Sequence, residues 1–403
     1  SEGGQPVSPE VVTGKVLVQV HPGGDWAYGY RLRLIGQLRT PPESGDFSFQ
    51  VYLARKGVGS LMTNPQIDRV EFNPGNPIKA LIFDLHTCAD ETLHALYPSP
   101  ESDLLAGILL GRDQGLSPEL QEAFRRTGTT HIIAISGFNI AILAGLFTGA
   151  FTRLLGRKWG ALCAIAAISA YTIFVGGDAA VTRAAIMGAM GVMGGLFGRR
   201  QNGLNSLELA ALGMALINPN IPWDIGFQLS VAATLGLVLY AQPLEERFVQ
   251  LAARKLPEET AQKLVGPVSE FFLFTLAAQV MTLPIMAYHF GGISWITLVA
   301  NPLILPAQSL VMVLGGLTLL AGLILPGVGQ ILALISLPFV HYTIRMVTWL
   351  ARLPGGDLVL PDFHPLWLVV FYALLFLLTL APRAERRVVV KKIASPQVCV
   401  LIL

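Results

Sequence analysis

Nine long apolar stretches between residues 131 and 381 place the strongest constraint on how this chain can fold. A membrane-spanning helix needs about 20 predominantly apolar residues, and each stretch is near that length, although the fourth is short and the seventh long. Only 13% of the 403 residues are charged, whereas soluble domains are about a quarter charged. We therefore predict a polytopic α-helical membrane protein, with its spans at 131–152, 159–176, 180–197, 205–221, 222–241, 267–290, 293–325, 328–353 and 365–381.

Basic residues follow every second stretch and predict which loops face the cytoplasm. Arg157 and Lys158 follow the first stretch, and Arg199 and Arg200 follow the third. The connections between these basic loops carry almost no lysine or arginine. Since cytoplasmic loops of membrane proteins are enriched in both residues, the basic loops and the basic tail 382–403 are predicted to be cytoplasmic. Residues 1–97 are then predicted to lie outside the cytoplasm.

The seventh stretch contains "NPLILPAQ", in which Pro302 and Pro306 lie four residues apart. Proline removes a backbone donor and clashes with the preceding helical turn. Unwound backbone at membrane depth is tolerated only where protein or water surrounds it. We predict one long crossing that is broken at these prolines, which gives about nine spans in the membrane domain 131–381.

Residues 1–97 have the alternating pattern of half-buried strands. In "KVLVQV" and "YRLRLI" apolar residues alternate with polar or charged ones, the period of two that is typical of a strand with one solvated face. A small all-β, OB-like domain is predicted, and such domains bind single strands through aromatic and basic groups. The candidate DNA-binding residues are Lys15, Tyr30, Arg31 and Arg33. The alternative is that these side chains are simply core and surface.

Two shorter helices are predicted between residues 98 and 130. They are "ESDLLAGILLG" and "SPELQEAFRRTG", the second with Ser117 as its N-cap, Pro118 at its first position and Gly128 after its end. Both are too short to cross a bilayer, so we predict amphipathic interfacial helices on the membrane surface. Arg125 and Arg126 of the second helix are further candidates for contact with DNA.

Polar side chains interrupt the apolar stretches. His131, Asn139 and Ser136 fall at about 0°, 80° and 140° on one helical wheel, which predicts a polar wedge on one helix. Ionisable groups cost about 2.5 to 3.5 kcal/mol each at a bilayer centre, so they are expected in a bundle interior or a watery cavity. The candidate path-lining residues are His131, Ser136, Gly137, Asn139, Arg183, Asp224, Gln228, Gln279, Thr282 and Asn301. The alternative is that these groups only tie helices together.

Enzymatic motifs are not found in the sequence. It contains no H-E-x-x-H, phosphate loop or C-x-x-C, and its three cysteines, Cys88, Cys163 and Cys399, are far apart. An intramembrane hydrolase that uses Ser136 and His131 is an alternative, but 140° of helix separates these residues, too far for a nucleophile and its base. We predict that the chain is not an enzyme and has no catalytic residues, metal or cofactor.

Several segments together resemble the ComEC family of competence proteins. They are "LLAGILLGRDQGLSPELQEAFRRTGTTHIIAISGFNIAILAGL", "GGDAAVTRAAIM" with Arg183, "DIGFQLSVAATLGL" with Gln228, "QVMTLPIMAYHFGGIS" with Gln279, and "NPLILP" with Asn301. The resemblance covers residues 100 to 350 well and the N-terminal region less closely. Family members commonly have a leucine and a second histidine where this chain has Phe138 and Asn139.

The resemblance implies a channel in the bacterial inner (cell) membrane that imports single-stranded DNA into the cytoplasm during natural transformation. It also implies an external DNA receptor and a cytoplasmic helicase-like motor as partners, besides the DNA and the lipid bilayer. The metallo-β-lactamase-like domain that often follows the last span in the family is not among these residues, so its nuclease activity is not expected of them. The alternative function is a small-anion or lipid transporter that binds its solute at mid-membrane.

Overall fold

The fold is described from a computed structural model, in which contacts divide the chain into two units, residues 1–91 and 92–403. The predicted cytoplasmic tail 382–403 lies outside the described residues, and each unit is described by itself. The structure describes residues 13–20, 28–44, 47–48, 50, 53–54, 57–72, 75–112, 115–199, 201–254, 257, 260, 269–360 and 364–380.

The described part of the first unit contains short paired strands. They are β1 Lys15–Gln19, β2 Tyr30–Ile35, β3 Glu43–Ser44, β4 Phe47–Ser48, β5 Val58–Thr63 and β6 Gln66–Phe72. Strands β1 and β5 pair in parallel, while β2 pairs with β6 and β3 with β4 in antiparallel fashion. Half-buried and exposed residues alternate strictly along β2, which confirms the predicted period of two. The OB-like barrel is not confirmed by these pairs and stays a prediction.

A helix follows the strands, and it corrects the prediction that residues 1–97 are all-β. Helix α1 covers Pro77–Leu96. The side-chain oxygen of Asn76 accepts a hydrogen bond from the backbone N–H of Ile78 at 2.9 Å, which caps the helix, and Pro77 occupies its first position. Buried Ala89 and Leu93 lie four residues apart, the spacing of one helical face.

The next two helices differ in burial. Helix α2, Glu101–Leu110, is buried at all ten positions, so the prediction of an amphipathic surface helix is wrong for it. Its apolar residues pack on all sides, and its two acidic residues are buried beside partners. Helix α3, Pro118–Arg126, is amphipathic as predicted, and the hydroxyl of Ser117 accepts from Leu120 N at 3.3 Å as its N-cap. The position of either helix relative to a bilayer stays a prediction.

The rest of the described chain is mostly helical. Six helical segments are long and apolar enough to cross a membrane, and two shorter apolar helices accompany them within the described residues. This architecture is that of a polytopic membrane protein. The helices are α4 Thr130–Ile133, α5 Gly137–Phe174, α6 Ala179–Leu196, α7 Gly203–Ile217, α8 Ile225–Ala252, α9 Phe274–Phe290, α10 Thr297–Ile324, α11 Pro326–Leu350 and α12 Pro365–Leu380.

Helix α5 is two helices that fold back on each other. Gly156 has φ 75° and ψ 174°, a left-handed backbone conformation that interrupts the helix. A Cβ atom placed on Gly160 would lie 2.5 Å from the Cα atom of Thr152. Residues eight apart in a straight helix are separated by about 12 Å, so the chain reverses at Gly156. The two halves correspond to the first two predicted spans, while the total of nine spans stays a prediction.

Helix α10 corrects the prediction of a broken crossing, because it runs continuously through Pro302 and Pro306. Helices that pack against others tolerate proline when neighbouring groups satisfy the freed backbone. Here the hydroxyl of Tyr342 on α11 donates to the carbonyl oxygen of Leu303 at 3.1 Å, next to the carbonyl of Pro302 that Pro306 leaves without its helical donor. The packing of α11 along α10 therefore supports a helix that the sequence pattern alone predicts to be broken.

Glycines allow close approach between neighbouring helices. A Cβ atom on Gly329 of α11 would lie 2.6 Å from the Cα atom of Gly322 on α10, and one on Gly236 of α8 would lie 2.3 Å from the carbonyl oxygen of Ala277 on α9. Helix α12 packs on α9, where the Tyr372 hydroxyl donates to a backbone carbonyl at 2.5 Å. Shorter elements are the 3₁₀ turn Ile221–Trp223, the π-helical turn Ser269–Leu273, and the paired strands β7 Gly292–Ser294 and β8 Asp357–Val359.

Candidate functional site

The segment that leads into α5 is held against the start of α10. The hydroxyl of Ser294 donates to the carbonyl oxygen of Arg126 at 2.5 Å, and that of Thr297 donates to the carbonyl oxygen of Thr127 at 3.1 Å. Gly128 has φ 66°, and a Cβ atom there would lie only 1.9 Å from the Thr297 hydroxyl oxygen. Glycine is therefore required at this position for both its conformation and its space.

The prediction that His131, Ser136 and Asn139 share one helix is wrong. His131 lies on the short helix α4 and is exposed. The backbone is extended at Ala134, with ψ 151°, and a new helix starts after Ser136. The Ser136 hydroxyl accepts from the backbone N–H of Asn139 at 3.4 Å, so it is the N-cap of α5. Serine satisfies a free N–H at a helix start, and this local bond is the physical reason for the break.

Arg183, in the second turn of α6, is buried, with 6% of its surface exposed. Its Nη1 atom donates to the hydroxyl oxygen of Thr234 on α8 and approaches the sulfur of Met187 at 3.6 Å. A Cβ atom on Gly137 would lie 2.9 Å from its Nη2 atom, so the guanidinium fills the space left by this glycine. Its Nε atom has no partner, and no carboxylate forms a salt bridge with it in the part of the chain that the structure describes.

Three amide side chains are buried inside the membrane domain without partners for part or all of their polar atoms. Asn139 on α5 is 1% exposed, and Gln308 on α10 is also 1% exposed. Neither the oxygen nor the nitrogen of either amide has a hydrogen-bond partner, and the oxygen of Asn301 on α10 has none. A buried polar group without a partner costs about 1 to 3 kcal/mol. These amides can therefore donate to and accept from water or a polar solute.

Asp224 and Gln228 have structural partners at the start of α8. The carboxylate of Asp224 caps the helix by accepting from Phe227 N at 2.9 Å. Gln228 donates to the carbonyl oxygen of Pro222 at 2.8 Å, and its side-chain oxygen lies 2.9 Å from Nε2 of His289. This last contact links α8 to the end of α9.

Gln279 and Thr282 occupy the middle of α9, and both are partly buried. The Thr282 hydroxyl donates to the backbone carbonyl of Ala278 at 3.1 Å. A threonine that bonds its own helix in this way satisfies its hydroxyl without a ligand. Of the predicted path-lining residues, the structure thus brings Gly137 directly against Arg183. Asp224 and Thr282 have partners in their own helix, and Gln228 also contacts His289 on α9.

The basic candidates of the first unit lie on exposed strand positions. Lys15 is exposed on β1, and Arg31 and Arg33 are exposed on β2. Their register places Arg31 opposite Glu71 and Arg33 opposite Asp68 on β6. Acidic residues opposite the arginines reduce the net positive charge of this strand pair. Of the aromatic candidates, Tyr30 begins β2 and is half-buried.

Arg125 and Arg126 lie at the end of α3. Arg125 forms a bidentate ion pair with Glu122, with its Nε and Nη2 atoms 2.7 and 2.6 Å from the two carboxylate oxygens. These side-chain hydrogen bonds from Arg125 hold the pKa of Glu122 below its usual value. Arg126 is half-buried, and its backbone carbonyl is the acceptor for Ser294. The two arginines therefore differ in their access to a ligand.

Thr234 and Glu101 make contacts between helices that the sequence pattern does not predict. Thr234 is one threonine in an apolar run, and such residues commonly bond their own helix, as Thr234 also does with the Ser230 carbonyl at 2.9 Å. Glu101 is the first residue of an apolar segment, and an acidic residue at this position is expected because it interacts favourably with the N-terminus of a helix. Among the residues that the structure describes, no group of three or more histidine, cysteine or acidic side chains could hold a metal ion.

Comparison with known proteins gives a consistent set of relatives. A family model described as competence protein matches residues 108–385. ComE operon protein 3 of Bacillus subtilis (strain 168) is 23% identical over 93% of this chain and 46% of its own length. Competence protein ComA of Neisseria gonorrhoeae is 26% identical over 70% of this chain and 38% of its own length.

The uncharacterized protein YcaI of Escherichia coli (strain K12) is 25% identical over 76% of this chain and 39% of its own length. The chain thus spans less than half the length of each of these three relatives. No solved structure matches the chain.

Proposed function

The chain belongs to the competence protein family, and from this membership we propose that its membrane domain is a channel through which single-stranded DNA enters the cytoplasm during natural transformation. One of the three relatives, ComA of Neisseria gonorrhoeae, is named a competence protein. The matched region covers all the apolar helices from α4 to α12. The proposal therefore concerns the membrane domain, and it treats uptake of DNA as the activity to be tested.

The observation that carries the proposal is the buried guanidinium of Arg183. A buried charge is costly unless it is paired, and arginine within membrane segments faces a bundle interior or a watery cavity. Arg183 donates to a neutral hydroxyl of Thr234, and no acidic partner is recorded for it among the described residues. A phosphate group supplies the missing negative charge, and arginine is well suited to phosphate because its planar fork donates two parallel hydrogen bonds.

The unpartnered amides of Asn139 and Gln308 support the same function. A single strand carries a charge at every phosphate and polar edges on every base, so its path must be hydrated and lined by polar groups. Amides both donate and accept hydrogen bonds, which lets them contact water, bases or phosphates without selecting a sequence. Helix packing alone leaves these buried groups unsatisfied.

The basic residues of the loops support a proposal for the number and orientation of the membrane crossings. We propose nine crossings, in which α5 supplies two, α6 to α12 supply one each, and the basic loops face the cytoplasm. The turn at Gly156 then lies on the cytoplasmic side, beside Arg157 and Lys158. The loops on the other side include strand β7, Gly292–Ser294. In this orientation DNA enters from the side of Ser136 and Arg183, near the start of α5 and α6.

Partners are proposed from family membership. The first unit, with exposed Lys15, Arg31 and Arg33, is proposed to bind single strands outside the cytoplasm, as an OB-like domain does. An external DNA receptor delivers the strand, and a cytoplasmic helicase-like motor pulls it. The sequence contains no nucleotide-binding motif that could drive transport from within these residues.

Replacement of Arg183 tests the function. In a competent host that depends on this protein, Arg183→Glu should lower transformation frequency at least tenfold, because it repels phosphate, while Arg183→Lys should lower it less. Protein level in the membrane is measured in parallel. Equal transformation by both variants and the parent, at equal protein levels, would contradict the proposal. A loss of uptake of a small anion by Arg183→Glu, with normal transformation, would instead identify a small-anion transporter.

A further inference from the structure

The short helix α2 places a carboxylate among the helices of the second unit. All ten of its residues are buried, and the side chain of Glu101 is only 7% exposed. Helix α10 contacts α2 at Gly315, where a Cβ atom would lie 2.9 Å from the side chain of Leu105. The Tyr171 hydroxyl of α5 donates to the carbonyl oxygen of Leu109 at 2.9 Å. Glu101 therefore lies in a helix that other helices enclose.

The partner of Glu101 comes from the middle of α11. Nδ1 of His341 lies 2.7 Å from Oε1 of Glu101, and Nε of Arg345 donates to Nε2 of His341 at 3.1 Å. Because Arg345 donates to Nε2, that nitrogen must carry its lone pair, and Nδ1 must carry the hydrogen that Glu101 accepts. The chain of contacts thus joins a carboxylate, a neutral imidazole and a guanidinium with a net charge of zero.

This chain of contacts is exposed at one end and buried at the other. The side chain of His341 is 50% exposed, against 7% for Glu101. Arg345 is exposed and lines a surface groove of about 340 Å³ together with Tyr342, Met346, Thr348, Trp349 and Arg352. The imidazole therefore separates an exposed end, where Arg345 and the groove lie, from a buried end, where the carboxylate lies.

We propose that Glu101, His341 and Arg345 form a proton-binding site where α2 packs against α11. A proton from water bonds to Nε2 of His341 as Arg345 moves away. The Nδ1–H bond then breaks, and the proton that Nδ1 held passes to the Glu101 carboxylate. One proton is gained from water, and the imidazole ends neutral in its other tautomer. The cluster then carries a charge of plus one. Imidazole suits this relay because its two nitrogens face opposite partners.

Other titratable groups near the site have separate partners. Asp103, also on α2, accepts from the Ser99 hydroxyl at 2.6 Å and lies 3.1 Å from Nε2 of His94 on α1. The Tyr97 hydroxyl is 2.5 Å from that of Ser336 on α11, and Tyr171 of α5 bonds the backbone of α2. Helix α10 carries no ionisable residue, α4 carries exposed His131, and α3, which packs on α11, carries Glu119, Glu122, Arg125 and Arg126.

A hydrophobic carbodiimide tests the proposal on the full chain in membranes, without any DNA. This reagent adds only to protonated carboxyl groups, and mass spectrometry of peptides locates the adduct. The fraction of Glu101 modified should fall as the pH of the reaction rises from about 5 to about 8. Glu101→Gln should abolish the adduct at residue 101, and fragmentation of the peptide separates this adduct from one on Asp103.

Matched arginine variants separate a proton site from a permanent ion pair. Arg345→Met removes the positive charge of the cluster, so the pH at half-modification should rise by about one pH unit. Arg352→Met removes an arginine of the same groove that does not contact His341, and it should cause no shift. Arg345→Lys, which keeps the charge, should give a smaller rise and covers the case in which Arg345→Met does not accumulate.

Two results would overturn the proposal. One is that Glu101 stays unmodified at every pH while the unfolded protein is modified at the same residue. The other is that the Arg345 variants and Arg352→Met give the same midpoint as the parent. Neither result bears on Arg183 or on passage of DNA, so the proposed channel function stands or fails separately.

Discussion

Arg183 on α6 donates a hydrogen bond to the hydroxyl of Thr234 on α8, and this bond joins two helices through a buried positive charge. Gly137 at the start of α5 lies against the same guanidinium. Three helices therefore meet at one side chain. Changes at either neighbour should alter the position of the charge without removing it.

Gly137→Ala should displace the guanidinium of Arg183. The added Cβ atom would lie 2.9 Å from its Nη2 atom, a contact that forces the side chain to move, and overpacking of this kind costs about 1 to 3 kcal/mol. Transformation frequency should fall severalfold at a normal protein level. Gly145→Ala on the same helix is the control, because nothing lies within 4 Å of its added atom. Equal transformation by the two variants would show that the position of Arg183 is unimportant.

Thr234→Val should leave Arg183 without its neutral acceptor. A hydrogen bond to a charged group contributes about 1.5 to 3 kcal/mol, so the free energy of unfolding should fall by roughly that amount. Thr234→Ser keeps the hydroxyl and should stay near the parent. Thermal unfolding of the detergent-solubilised protein measures both. If the two variants unfold at the same temperature, the hydroxyl does not stabilise the guanidinium.

Replacement of both Arg31 and Arg33 by glutamine should weaken binding of single-stranded DNA by the whole protein. Each phosphate contact contributes about 0.7 to the slope of log affinity against log salt, so the slope should decrease by about 1.4. Arg39→Gln changes an exposed arginine outside β2 and should leave the slope unchanged. If the double variant has the same slope as the parent, Arg31 and Arg33 do not contact DNA and β2 has a structural role only.

Cysteine labelling tests the orientation. After Cys88, Cys163 and Cys399 are replaced, Lys158→Cys and Gly292→Cys should react with a membrane-impermeant reagent from opposite sides. Lys158 follows the turn at Gly156, and Gly292 begins β7 on the other side in the proposed arrangement. Reaction of both from the same side would contradict the nine-span arrangement.

The sequence predicts the helices of the membrane domain well, because the length of an apolar stretch directly reflects the thickness it must cross. It also separates the two halves of α5, which the basic residues around Gly156 interrupt. Local sequence patterns do not predict the burial of a residue whose partner lies far away in the sequence. Glu101 and Asp103 indicate a helix start in contact with water, yet His341, far along the chain, lies 2.7 Å from Glu101 in a buried helix.

In the candidate site too, the sequence predicts individual residues but not their contacts with distant helices. Arg183 is predicted from its charge in an apolar span, but its bond to Thr234 follows only from helix packing. The wedge of His131, Ser136 and Asn139 is wrong because the Ser136 hydroxyl caps a new helix, a local competition that a helical wheel ignores. The break expected at Pro302 and Pro306 is absent from α10, since contacts with α11 support the helix.

Photocrosslinking during uptake tests most directly whether DNA passes beside Arg183. A photoreactive phenylalanine derivative is placed at Ser136, next to Gly137, or at Phe138, which is 41% exposed and serves as the control. Labelled DNA is supplied to competent cells, and the protein is recovered after illumination. We predict a covalent adduct with single-stranded DNA at Ser136 and none at Phe138. Transformation that continues without an adduct at Ser136, or with equal adducts at both positions, would contradict a path along this face.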